Sequence, residues 1–193
     1  MKMIVVVVSL VAVGFAGGLL AGESGLVDVE AITGARMAVA QAETFSPMFE
    51  HDAGRTAALE ALKGADPSEG IAKAKEWLAK LPVDGQMLLA LADAERRAGK
   101  LADSFAHRSA YYGLLASLMA SGEGTQEKPF KVIAVAEEYV FFREIGARMG
   151  RQALTQINGK PHDRVSVTVG SEERTYFFDV SLSFEAMNRS LGR

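Results

Sequence analysis

Apolar positions recur at helical spacing from residue 27 to about 119, and from 130 to 180 they alternate mostly as strands do. Asp66-Pro67-Ser68-Glu69 predicts a helix start, with Asp66 as N-cap, Pro67 at the first position and Glu69 completing a capping box. The helix that follows places Ile71, Ala74, Trp77, Leu78 and Leu81 on one stripe, and Pro82 ends it. Asp84 caps a second helix with Met87, Leu88, Leu91, Ala94 and Ala98 on its buried side and Gly99 in its terminal turn. A third helix runs from Leu101 with Phe105, Tyr112, Leu115 and Met119 in register. Upstream, helices are expected over 28–42 and 57–62, the latter ending at Gly64, with Phe45-Ser46-Pro47-Met48-Phe49 as the loop between. Short turns between such helices predict antiparallel hairpins. Pro82, Leu91 and Gly99 give this hairpin a tetratricopeptide-like spacing, although a stacked solenoid needs about three repeats.

In the second half, Phe130-Lys131-Val132-Ile133 predicts a short strand. Residues 137–145 carry β-branched and aromatic side chains, yet Tyr139, Phe142 and Ile145 follow helical spacing. Residues 152–157 predict a strand turning at Asn158-Gly159, a strong hairpin signal. The next strand puts Val165, Val167 and Val169 on one face, and after Gly170-Ser171 a further strand aligns Tyr176, Phe178 and Val180. The hairpin register presses these apolar faces together under a covering helix, and 184–191 closes the chain as a helix. The expected fold class is α+β: N-terminal helical hairpins followed by a small, mainly antiparallel β-sheet with a closing helix.

The first residues change the picture by assigning a compartment. Met1-Lys2-Met3 leads into Ile4-Val5-Val6-Val7-Val8, and no charge stands between Lys2 and Glu23. One cation, an apolar run and then small residues (Ala16, Gly17, Gly18, Ala21, Gly22) have the layout of a secretory signal, with cleavage expected after Ala21. The alternative is a retained N-terminal membrane anchor, since the stretch 3–21 reaches the length needed to span. The expected organisation is therefore a signal over 1–21, a helical region over 22–120, a hinge over 121–129, and a β-rich region over 130–193 packed on the helices. Removing the signal leaves about 170 residues, enough for one substantial core or two small packed ones.

Composition removes several kinds of chemistry. The chain has no cysteine, so disulfides, zinc-thiolate sites, thiol nucleophiles and lipid attachment through an N-terminal cysteine are all absent. The formal net charge is −3 with no basic face, which argues against nucleic acid. The three histidines, His51, His107 and His162, lack the spacing of a zinc helix, and no metal or cofactor is expected. No serine stands in a nucleophile-elbow context.

The segments Ser121-Gly122-Glu123-Gly124-Thr125, Phe130-Lys131-Val132-Ile133, Glu137-Glu138-Tyr139 with Gly146, Gln152-Ala153-Leu154, His162-Asp163 and Tyr176-Phe177-Phe178-Asp179-Val180 follow one another in order. In this order, and in the Trp77 to His107 region running into Tyr111-Tyr112-Gly113-Leu114-Leu115, the chain resembles the exported bacterial proteins of domain of unknown function 4919. The resemblance implies export and carries no activity and no functional residues.

Candidate residues are few. Gly122 and Gly124 sit in a loop that resembles a phosphate cradle in composition only, because a helix precedes it, Pro129 and a strand follow, and Glu123 repels phosphate. Glu137, Glu138 and Tyr139 place carboxylates beside aromatic residues, where desolvation raises a pKa; the competing reading is an ordinary acidic helix start. Trp77, Tyr111, Tyr112, Phe141 and Phe142 read as core, with one of the Phe141-Phe142 pair facing out. Two functions are expected to compete. A non-enzymatic envelope module binding a protein partner through its helices requires an exposed apolar patch there. An enzyme using Glu137, Glu138, His162 or Asp163 requires a carboxylate and His162 in one concave pocket. A small-ligand carrier would require a closed apolar cavity.

Overall fold

The structure, a computed structural model, describes residues 28–192; the signal segment expected over 1–21 lies outside them. The fold is α+β: N-terminal helices, then a mixed four-stranded sheet, then a closing helix. The chain divides into two compact units. One comprises Ala53–Leu114 with the described residues up to Ala35, the other Arg36–Asp52 with the chain from Leu115 onward. The division falls within helices, after Ala35 and after Leu114, and so precedes the expected hinge.

The first unit is helical. Helix α1 (Val29–Gln41) begins here, with Asp28 Oδ1 accepting a hydrogen bond from Ala31 N at 2.9 Å, a cap the sequence reading did not name. Helix α2 (Ala53–Ala61) starts four residues before the expected 57. Helix α3 (Ser68–Lys80) buries Ile71, Ala74 and Leu78 as its stripe predicts. Its cap differs from the expected one: Asp66 Oδ1 accepts from Ser68 N at 3.0 Å, and Pro67 is the cap residue. Glu69 pairs with Lys73 at 2.6 Å, so no capping box closes. The reason is local, because Lys73 lies one turn along the same face and offers Glu69 a full charge.

Helix α4 (Gly85–Arg97) is capped as expected, Asp84 Oδ1 accepting from Met87 N at 3.0 Å. Met87, Leu88, Leu91 and Ala94 are buried, whereas Ala98 is exposed, one residue past the last helical turn. Gly99 terminates the turn at φ 73°, a left-handed backbone that a side chain resists. Helix α5 (Leu101–Ala120) corrects the sequence reading most plainly. Its buried face carries Ser104, Tyr111, Leu114, Leu115 and Leu118, while Phe105, Tyr112 and Met119 are exposed. Apolar residues lie on both sides of this helix, so periodicity alone selects no face.

The second unit is built on the sheet. Strand β1 (Phe130–Lys131) is shorter than the expected 130–133 and pairs parallel with β4 (Glu172–Asp179). Strand β3 (Lys160–Val169) pairs antiparallel with β4 and with β2 (Ala147–Ile157), giving the order β1-β4-β3-β2. Strand β2 begins five residues before the expected 152 because a register shift between Met149 and Gln152 interrupts its alternation. Asn158 and Gly159, at φ 51° and 77°, form the expected tight turn.

Residues 137–145 resolve as helix: α6 spans Val135–Glu144. Phe141 and Phe142 are both buried, correcting the expectation that one faces out, since α6 is covered around much of its circumference. Both rings pack on Tyr176 and Phe178, with centroids 5.1–6.0 Å apart. Leu115, Leu118, Val132, Val165, Val167 and Val180 complete this core. Helix α7 (Ser181–Ser190) closes the chain, and Arg189 donates to Ala40 O. The segment read as a hinge is stitched down: Glu123 N donates to Lys128 O at 2.8 Å and Phe177 N to Gly124 O at 3.0 Å.

Candidate functional site

Glu137 and Glu138 occupy the first turn of α6, and both are buried. Glu137 is N3 of that helix, and its Oε2 reaches back to accept from Ile133 N at 2.9 Å, the acidic-start role that the sequence offered as the alternative. The same carboxylate receives Arg36 of α1 through Nε at 2.8 Å and Nη2 at 2.7 Å. Arg36 is fully buried, and it also donates through Nη1 to Ser117 Oγ at 2.9 Å and through Nη2 to Lys131 O at 3.1 Å. Each guanidinium nitrogen thus donates, the condition for burying that charge without a penalty that exceeds the attraction. Glu137 is therefore fully engaged in holding α1, α5 and β1 around α6.

Glu138 lies 100° further round the helix by the geometry of a turn of about 3.6 residues, and meets a different environment. It is fully buried, and the amide of Gln152 links it to Asp163 of β3. Gln152 of β2 donates through Nε2 to Asp163 Oδ2 at 2.7 Å and lies 3.4 Å from Glu138 Oε2. Burial, followed by the charge of Asp163 and then its hydrogen bond and the charge of Glu137, pushes the Glu138 carboxyl up to about 9.

Strand alternation separates His162 from this pair. Asp163 continues the Val165–Val167 face beneath α6, and His162 projects to the other side, since successive side chains alternate. His162 lines an open groove of about 670 Å³ together with Ser121, Gly122, Lys128, Lys131 and Asp179. Its Nδ1 lies 2.9 Å from Lys160 O, so Nδ1 carries the proton and Nε2 the lone pair in the neutral ring. Neither Glu137, Glu138 nor Asp163 lines that groove. The other histidines are elsewhere: His51 is exposed, and His107 Nδ1 pairs with the buried Glu95 at 2.7 Å. Among the described residues no group of three or more His, Cys, Asp or Glu side chains is placed to hold a metal ion.

Gly122 and Gly124 are required by packing. A Cβ on Gly122 would stand 2.2 Å from Pro129 O, and one on Gly124, at φ 71°, would meet the Phe130 and Tyr176 rings at 2.5 and 2.8 Å. Tyr139 is half exposed on α6.

The helical unit presents a different feature. Leu101, Phe105 and Tyr112 of α5 are 67%, 43% and 43% exposed, and intervals of four and seven residues place them on one line of the helix. Arg108 falls on the same line and pairs with Asp93 at 2.6 Å. The Tyr112 ring stands edge-on to buried Tyr111 at 5.1 Å, which fixes its position at the surface. Among the described residues no helix is long and apolar enough to cross a membrane.

Sequence reasoning missed Arg36, Gln152 and the exposed line of α5. Arg36 did leave a signal: it stands between Ile32 and Ala40 at four-residue intervals, and both neighbours are buried. A cation in the middle of an apolar stripe marks a buried partner. No family model, no curated protein and no solved structure matches the chain.

Proposed function

We propose that this chain is an exported, non-enzymatic module of the cell envelope that binds a protein partner through the Leu101–Phe105–Tyr112 line of α5. The observation that carries the reading is the exposure of three large apolar side chains in one row on a helix whose opposite face is well packed. Isolated exposed apolar residues are ordinary, but aligned ones are the usual mark of an interaction surface. Rigid aromatic side chains also lose little conformational freedom on binding, and arginine beside them adds a directional donor. Export rests on the charge and apolar pattern of the first 21 residues.

The acid–base enzyme reading is weaker on the same geometry. Glu137 is held by Arg36, Glu138 and Asp163 lie beneath α6, and His162 faces the other side of the sheet. An acid and a base must reach one substrate, and Glu137, Glu138 and Asp163 do not line the groove that holds His162.

The test is site-specific photo-crosslinking in the producing cell's envelope. A photoreactive residue at position 105 or 112 is expected to give one discrete adduct, which a Leu101→Glu change in the same chain abolishes. The same probe at exposed Ala79 is expected to give none. Equal labelling at all three positions, or none at any, overturns the reading. N-terminal sequencing of the exported chain is expected to begin at Gly22; a chain beginning at Met1 overturns cleavage.

A further inference from the structure

A carboxylate has acceptors only, so two ionised carboxylates cannot hydrogen-bond to one another. Glu138 and Asp163 are nevertheless brought onto one neutral amide, Gln152 Nε2 lying 3.4 Å from Glu138 Oε2 and 2.7 Å from Asp163 Oδ2, with Glu138 fully buried and its Oε1 without a hydrogen-bond partner. Two buried carboxyls that meet over a single neutral donor are relieved of their mutual repulsion when one of them carries a proton. We propose that Glu138 and Asp163 share a single proton, and that this proton fastens α6 to the sheet as a latch released by alkali.

The surroundings support a proton in place of a cation. Glu137, the nearest further charge, is satisfied by Arg36, so that arginine is already engaged. Gln152, the β2 group on the pair, is neutral and points its amide nitrogen at both carboxyls, a donor where a metal would require an oxygen. On β3 the neighbours are His162, which faces the opposite side, and Arg164, which is exposed. Among the described residues no β1 or β4 side chain is hydrogen-bonded or ion-paired to either carboxyl. The arrangement is that of two acids sharing one proton because both cannot ionise side by side.

The consequence is a definite sign. An acid whose folded pKa lies above its ordinary value binds a proton more tightly in the folded state than in the unfolded one. Its stabilising effect is complete below the ordinary value of 4.5 and declines as pH rises toward about 9. Above that, two charges face each other under α6, and the helix that also carries Glu137 and its grip on Arg36 loses one of its fastenings.

The test uses the full-length chain. Infrared spectroscopy is expected to show the carbonyl band of a protonated carboxyl at pH 7, disappearing with a midpoint near 9. The band is expected to vanish in Glu138→Gln and to titrate at lower pH in Asp163→Asn, which removes the opposing charge. Hydrogen exchange, corrected for intrinsic rates, is expected to show α6 losing protection at least ~10-fold more than α4 as pH passes the midpoint. The absence of a band in the wild type, a midpoint unmoved by Asp163→Asn, or equal loss of protection in α4 overturns the proposal. The wild-type measurements keep it testable even if a variant fails to fold.

Discussion

In the helical unit, buried Asp84 is surrounded by donors: Arg55 Nε at 2.6 Å, Trp77 Nε1 at 2.9 Å and Met87 N at 3.0 Å. In the sheet unit, buried Glu138 meets another carboxyl and an amide, with no cation bonded to it. Both acids have left water, and each must be neutralised where it stands. Asp84 does so with a guanidinium supplied 29 residues away, and serves as helix cap. Glu138 takes a proton. The lesson is that similar burial of a carboxyl leads to an ion pair or to a carboxyl–carboxyl cluster according to what the neighbouring element supplies.

That contrast can be attacked directly. The largest effect is expected from Asp84→Ala, which leaves Arg55 buried without its anion and removes the α4 cap. Breaking such a pair costs about 3–5 kcal/mol, and the lost cap about 1 more. Urea denaturation monitored by Trp77 fluorescence reads it, and a loss below about 1 kcal/mol would show that Arg55 finds another partner. Arg36→Leu is expected to cost about 3–5 kcal/mol in the other unit by stranding Glu137. The double change Arg36→Leu with Glu137→Leu is expected to recover most of it, because an apolar pair does not carry the desolvation cost. Glu138→Gln sharpens the difference: it should flatten the decline of stability between pH 4.5 and about 9, read by the same denaturation series repeated across that range.

Smaller effects separate backbone from packing. Gly124→Ala combines a left-handed φ of 71° with contact against two rings, and should cost about 2–3 kcal/mol. Gly99→Ala has a similar φ in open space and should cost about 1 kcal/mol, by the same denaturation measurement. Smallest of all, Phe105→Glu is expected to shift stability by no more than about 0.5 kcal/mol. Its effect is expected instead in the crosslinking test of the proposed surface, and a large destabilisation would mean that Phe105 is part of the core.

Elements governed by neighbouring residues were legible without the fold. Asp84 as a cap, Gly99 as a helix stop, Asn158-Gly159 as a hairpin turn and the Val165–Val167 face all follow from local backbone chemistry. The start of β2 was hidden because the irregularity between Met149 and Gln152 breaks the two-residue rhythm on which strand recognition depends. The candidate site was partly legible: Glu137-Glu138 stood out as acids among aromatics, but nothing in their adjacency showed that one meets an arginine and the other a carboxyl.

By itself, the sequence determined the α+β class, the stops at Gly99 and Asn158-Gly159, the cysteine-free chemistry and the apolar character of its first residues. The tertiary structure alone decided which side of α5 is buried, since both sides offer apolar residues and only the packed neighbours choose between them. It also decided the fate of the buried charges. Arg36 and Glu137 lie 101 positions apart, and Glu138 reaches Asp163 from a different element. Periodicity is a property of one segment, whereas desolvation and its compensation depend on what two distant segments bring to the same place.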